Sequence, residues 1–134
     1  MGKWQPNRRL VRAALERARA ARPPMSAILG ELIEHITERA AVPETESGYQ
    51  AWLELCTMAW NASRLALQGD RMRDLVDEAQ REACESDPNV AAVYKWIIRI
   101  AGQKYPADRR IVTRASLTLR DEEVIVHATT SELA

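Results

Sequence analysis

Phenylalanine is absent from this 134-residue chain, and glycine, cysteine and histidine are scarce, at five, two and two residues. Each scarcity removes a class of chemistry. The glycines stand singly at positions 2, 30, 48, 69 and 102, whereas a loop that cradles phosphate needs several together so that backbone amides can close on the anion. Nucleotide hydrolysis on such a loop is excluded. Cys56 and Cys84 form neither a CxxC pair nor a dense framework, so two buried, reduced thiols are expected. The strongest metal donors are those cysteines with His35 and His127, and no pair of them has a ligand spacing. Glu31, Glu34 and Glu38 follow one another at three- and four-residue steps, the ordinary spacing of a solvated helix face. No metal and no other cofactor is expected.

Long apolar runs are missing as well. None approaches the ~18 residues of a membrane span, and no apolar leader with a small-residue cleavage site opens the chain. The expectation is a cytoplasmic protein without a membrane segment. Signatures of an activated nucleophile, such as GxSxG, are absent, and Cys56 falls on the apolar face of a helical pattern, where a thiol acts as a small hydrophobe. Arg120 and His127 enclose six residues, the spacing of the motif of HEPN-type ribonucleases. That family carries its pair on a helix, whereas here the two flank a turn and a strand, so a strand histidine and a turn charge are expected instead.

What is present describes one domain. Hydrophobic residues make up 46% and charged residues 28%, and a chain of this size can bury roughly two thirds of the surface that it exposes when unfolded. The formal charge is zero but uneven: residues 1–22 hold seven basic side chains and one acid, and the rest holds twelve and eighteen, giving +6 and −6. A segment of that kind can pair with its own acidic body or with an external polyanion.

Hydrophobic periodicity predicts about five amphipathic helices followed by a hairpin. Asn7 can cap a basic helix that runs to Arg22, where Pro23 and Pro24 stop it; residues 1–24 are assigned as an arm and 25–134 as a single α+β domain. From Ser26, Ile28, Leu29, Leu32, Ile33, Ile36 and Ala40 form a core stripe. Ser47 and Gln50 have capping-box spacing and open a third helix through Trp52, Leu53, Cys56, Ala59, Trp60, Ser63 and Leu67, which Gly69 ends in a left-handed conformation. Asp70 is expected to cap a fourth helix with a core stripe of Met72, Leu75, Val76, Ala79 and Ala83. Asp87-Pro88 starts a fifth, through Val90, Val93, Tyr94, Ile97, Ile98 and Ala101.

From Arg110 the period changes to two. Ile111, Thr113, Ala115, Leu117 and Leu119 are assigned to one face and Val112, Arg114, Ser116, Thr118 and Arg120 to the other; Asp121-Glu122 is the turn, and Val124, Val126 and Ala128 resume the alternation. A two-stranded ribbon is marginal in water by itself, so the hairpin must pack on the helices, and its edges remain a template for another strand.

Ala59-Trp60-Asn61 with Leu65 and Leu67, then Lys104-Tyr105-Pro106-Ala107-Asp108-Arg109-Arg110-Ile111 leading into the hairpin, resembles a group of uncharacterised bacterial proteins, helical with a Trp-Asn central helix and a closing β-ribbon. The resemblance spans residues 49–129 and implies the fold but no activity and no functional residue.

The resulting expectation is a non-catalytic module that binds a protein partner or itself, with Trp4, Ile125 and His127 as candidate contacts. The alternative is a nucleic-acid accessory protein whose Arg8, Arg9, Arg12 and Arg19 meet phosphates, the arm being basic and acid-poor.

Overall fold

A computed structural model describes residues 23–39, 45–85 and 87–133. The expected helix from Asn7 to Arg22, with Trp4, Arg8, Arg9, Arg12 and Arg19, lies outside the described residues. Within them the chain is α+β: α1 (Met25–Arg39), α2 (Glu46–Leu65), a 3₁₀ turn (Ala66–Gln68), α3 (Asp70–Cys84), α4 (Pro88–Lys104), β1 (Arg110–Arg120) and β2 (Glu123–Glu132). Among the described residues that makes four helices before the antiparallel pair, and the remaining helix of the expected five is the one that lies outside them.

The helix ends follow local chemistry, with three corrections, the first being that Asp70 does not cap α3 but lies in its first turn, Gly69 holding the cap position without a side-chain bond. Asp87 Oδ1 accepts from the Asn89 amide at 2.9 Å and Pro88 fills the first turn of α4, as the Asp-Pro pair predicts. For α2 the cap is Thr45, not Ser47: Thr45 Oγ1 accepts from the Gly48 amide at 3.1 Å. Serine and threonine compete for one role here, and the residue lying one step before the first turn wins it. Gly69 does not end α2 in the left-handed helical region. The helix tightens into the 3₁₀ turn first, and Gly69, at φ 136° and ψ 174°, precedes α3 in a conformation essentially reserved for glycine.

Helix α2 is the centre. It touches α1, α3, α4 and β1, while α1 also packs on β2. Leu53, Cys56, Ala59 and Trp60 are fully buried on it; α1 contributes Ile28, Leu29, Leu32, Ile33 and Ile36, α4 contributes Tyr94, Ile97 and Ala101, and the sheet Val112 and Leu117. The α1 set recurs at three and four residue steps, which is why its stripe was readable. By contrast α3 buries no described residue, and Leu75 is 54% exposed. Its expected core stripe is therefore corrected to a surface one with Val76 alone partly packed; a helix at the end of the bundle has a core on too narrow a side to cover the stripe.

The hairpin turns on Asp121 and Glu122, whose φ angles of 51° and 65° are both positive, as a two-residue type I′ loop requires. The strand faces need correction. A bulge leaves Thr113 unpaired between Val112, opposite Thr130, and Arg114, opposite Thr129. One extra residue reverses the alternation, so Val112 and Leu117 point into the same core although they lie five positions apart. Strict alternation puts Val112 on the face opposite Leu117; the bulge moves it inward and leaves Ile111 only half-buried.

Candidate interaction surface

Two edges flank the hairpin, and the molecule treats them differently. The outer edge of β1 is held by α2. Asn61 Nδ2 donates to the Val112 carbonyl at 3.0 Å while Asn61 Oδ1 accepts from the Val112 amide at 2.7 Å, so one side chain engages that residue as a neighbouring strand would. One residue earlier in the helix, the Trp60 indole N–H donates to the Arg110 carbonyl at 2.9 Å. These three bonds show that Arg110 and Val112 turn backbone groups away from β2.

A buried polar latch anchors the same corner. Arg64 lies over the Trp60 ring, 4.7 Å from its centroid, and donates from Nη1 to the carbonyls of Tyr105 and, at 2.8 Å, Asp108. Its Nε donates to Ser63 Oγ at 3.0 Å, which in turn donates to the Trp60 carbonyl at 2.6 Å. Tyr105 meets the Trp60 ring edge-on at 5.7 Å. Asp108 accepts from Arg110 twice, at 3.1 Å from Nε and 2.7 Å from Nη2, and also from the Arg110 amide at 3.0 Å. Arg110 Nη2 further donates to the Pro23 carbonyl at 2.8 Å, tying the start of α1 to the start of β1. Burial pulls the Arg64 guanidinium pKa down, and the Asp108 charge opposes that fall. The latch is structural: its donors and acceptors are turned on one another.

Among the described residues the edge of β2 has no comparable cover. In a two-residue hairpin the flanking pair, Arg120 and Glu123, shares hydrogen bonds, and bonded pairs alternate from there. Val124, Val126, Ala128 and Thr130 therefore direct their amides and carbonyls outward. Among the described residues no other element bonds these groups. Between its terminal Glu123 and Glu132, β2 holds no proline and no Asp, Glu, Lys or Arg that would blunt an edge, and the bulge is in β1. Burial matches this. Leu117 is 5% exposed, whereas its cross-strand partner Val126, pointing to the same side, is only half-buried, and so are Val124 and Ala128. An apolar margin runs beside the open backbone groups.

The structure brings two of the predicted contacts together. Ile125 and His127 sit on the outer face of β2, Ile125 half-buried and His127 exposed opposite Ser116. Arg120 pairs with Glu123 across the turn, not with His127. No known family model, curated protein or solved structure matches this chain. Its surfaces must therefore be read from their own geometry.

His35 occupies a different surface, the shallow groove between α1 and α4, with Glu31 and Glu38 each 3.7 Å from a ring nitrogen and the Trp96 ring edge-on at 6.0 Å. Its side chain is 43% exposed. Lys104 Nζ donates to Glu31 at 2.6 Å, and this bond holds the Glu31 carboxyl below its usual range, with His35 adding to the effect. The groove encloses about 170 Å³. Cys56 is fully buried inside α2, and burial pushes its thiol up to about 12, so it is a neutral core group. Among the described residues no three His, Cys, Asp or Glu side chains converge in a metal-ligating group.

One side chain, Arg64, escaped the sequence reading: it follows Trp60 by four residues, on the same helix face, and that spacing was its available signal. The hairpin edges were expected as strand templates, but which of the two is closed depends on Trp60 and Asn61 meeting the backbone of β1, and no residue type in β2 advertises it.

Proposed function

We propose that this chain is a protein-interaction module, not an enzyme, and that it binds by adding an extended segment of a protein partner to the edge of β2. The observation that carries this reading is the asymmetry of the hairpin: the α2 side chains Trp60 and Asn61 engage the backbone of β1, while the outward groups of β2 lie beside half-buried valines. An incoming strand satisfies those amides and carbonyls directionally, and its alternate side chains cover the apolar margin. The chemical groups that an enzyme needs are dispersed. His35 is on α1, His127 on the outer face of β2, and the Cys56 thiol is buried in α2.

A second exposed feature, Leu67 at 59% and Leu75 at 54%, supports a helical-stripe reading less well, because the surrounding face of α3 is charged and offers no unpaired backbone. Displayed peptide libraries test the edge. The full-length chain should enrich extended peptides that alternate apolar and polar residues, and Thr130→Pro, which removes one outward amide without touching the β1 ladder, should weaken their binding at least tenfold. Equal binding by Thr130→Pro refutes the edge reading.

A further inference from the structure

We infer that the strand received by β2 is β2 of a second copy of this chain, paired antiparallel about a two-fold axis through His127. The inference rests on the edge reading above and adds the identity and register of the partner.

An open antiparallel edge is self-complementary, because rotating it by half a turn sets its donors against its own acceptors. Side-chain geometry then selects the register. Directly opposite residues on antiparallel strands point to the same side of a sheet, and the inner side must stay apolar in both copies because α1 packs on β2 there. Only registers that match residues of the same face satisfy this, and each of these is centred on one residue that meets its own copy. The end-to-end alignment, Glu123 opposite Glu132, fails twice. It sets carboxylates against one another, and it places outward-facing His127 opposite inward-facing Ala128.

Centring on His127 sets Val126 against Ala128 and Val124 against Thr130 on the inner side, and Ile125 against Thr129 on the outer side. Glu123 meets Ser131, and Glu132 falls beyond the strand overlap. Centring on Ala128 instead would put Glu132 against the half-buried Val124, and centring on Val126 would shorten the overlap and leave Thr130 and Ser131 unpaired. The backbone agrees with the His127 centre. His127 shares its ladder bonds with Ser116, so toward a second copy it forms a non-bonded pair, flanked by bonded pairs of Val126 with Ala128. The dimer is then a four-stranded sheet, β1-β2-β2-β1, that covers the valines half-buried in one copy.

The experiment uses the full chain with Cys84→Ser as background. Sedimentation velocity over a concentration series should show a monomer–dimer equilibrium, shifted at least tenfold toward monomer by Thr130→Pro. Under mild oxidation His127→Cys should give a covalent dimer, since opposed non-bonded positions have Cα atoms about 4.5 Å apart, within disulfide range. Ile125→Cys and Thr129→Cys should cross-link together and not singly. A chain that stays monomeric at every concentration overturns the second copy; if it still captures strand peptides at β2, the edge reading stands without it. A dimer that survives Thr130→Pro and does not cross-link at position 127 also overturns the inference, and places self-association elsewhere, with Leu67 and Leu75 as the exposed apolar alternative. Cross-linking of equal yield at 125 and 127 singly overturns the register.

Discussion

The carboxamide of Asn61 both donates to the Val112 carbonyl and accepts from the Val112 amide, at 3.0 and 2.7 Å. A helix side chain thereby takes the place that a third strand would hold beside β1, and the sheet stops on that side. On the proposed reading, binding is left to the other edge by the same contact.

Removing the contact should be costly. Asn61→Ala leaves a part-buried amide and carbonyl unpaired, at about 1–3 kcal/mol for the pair. Urea unfolding checks the value, and Asn61→Asp, which sets a carboxylate oxygen against the Val112 carbonyl in place of a donor, should cost at least as much as alanine. A loss below about 0.5 kcal/mol would mean that water replaces the amide without penalty.

Asp108 and Arg110 form a doubly bonded ion pair with side chains 4% and 9% exposed. Asp108→Ala strands the guanidinium and should destabilise by about 3–5 kcal/mol. Arg110→Met added to it should recover part of that loss, because the Arg110 guanidinium is then no longer buried without its carboxylate. Additive losses in thermal unfolding would show that the pair is not coupled.

Glu122 holds φ 65° in the turn, a region that costs a residue with a Cβ roughly 1 kcal/mol. Glu122→Gly should raise stability by about 0.5–1 kcal/mol, with the hairpin amides exchanging more slowly. Unchanged or faster hydrogen exchange across β1 and β2 would argue against a strained type I′ turn.

Burial raises the Cys56 thiol to about 12, whereas an unfolded thiol ionises near about 8.5. The raised folded value means that the neutral thiol favours the native state: its contribution is complete below the unfolded pKa and is lost as pH rises toward 12. Within that window stability should fall by up to about 1.4 kcal/mol per pH unit from this group. Cys56→Ala should remove that part of the alkaline slope. Identical slopes for the two proteins between pH 9 and 11 would contradict the assignment.

Local chemistry was legible. The α1 stripe Ile28, Leu29, Leu32, Ile33 and Ile36, the Asp87-Pro88 start of α4 and the Asp121-Glu122 turn each depend on residues within a few positions of one another. The binding reading was legible only as a class, since Ile125 and His127 mark the outer face of β2 while the groups that matter lie in its backbone. Where two neighbours compete for one role, as Thr45 and Ser47 do for the α2 cap, spacing alone picked the wrong one.

Periodicity and turn residues by themselves determined the α+β class, the helix faces near the core and the existence of the hairpin, because hydrogen bonding and burial along a regular element repeat with the backbone period. Tertiary structure alone decided that Thr113 bulges and turns Val112 inward, that Arg64 is buried under Tyr105 and Asp108, that α3 stays at the surface, and that among the described residues α2 closes the edge of β1 and no element closes that of β2. Those outcomes depend on contacts between residues some fifty positions apart, such as Asn61 with Val112. No local pattern encodes them, since each side chain's role is set by the neighbour that the completed fold brings against it.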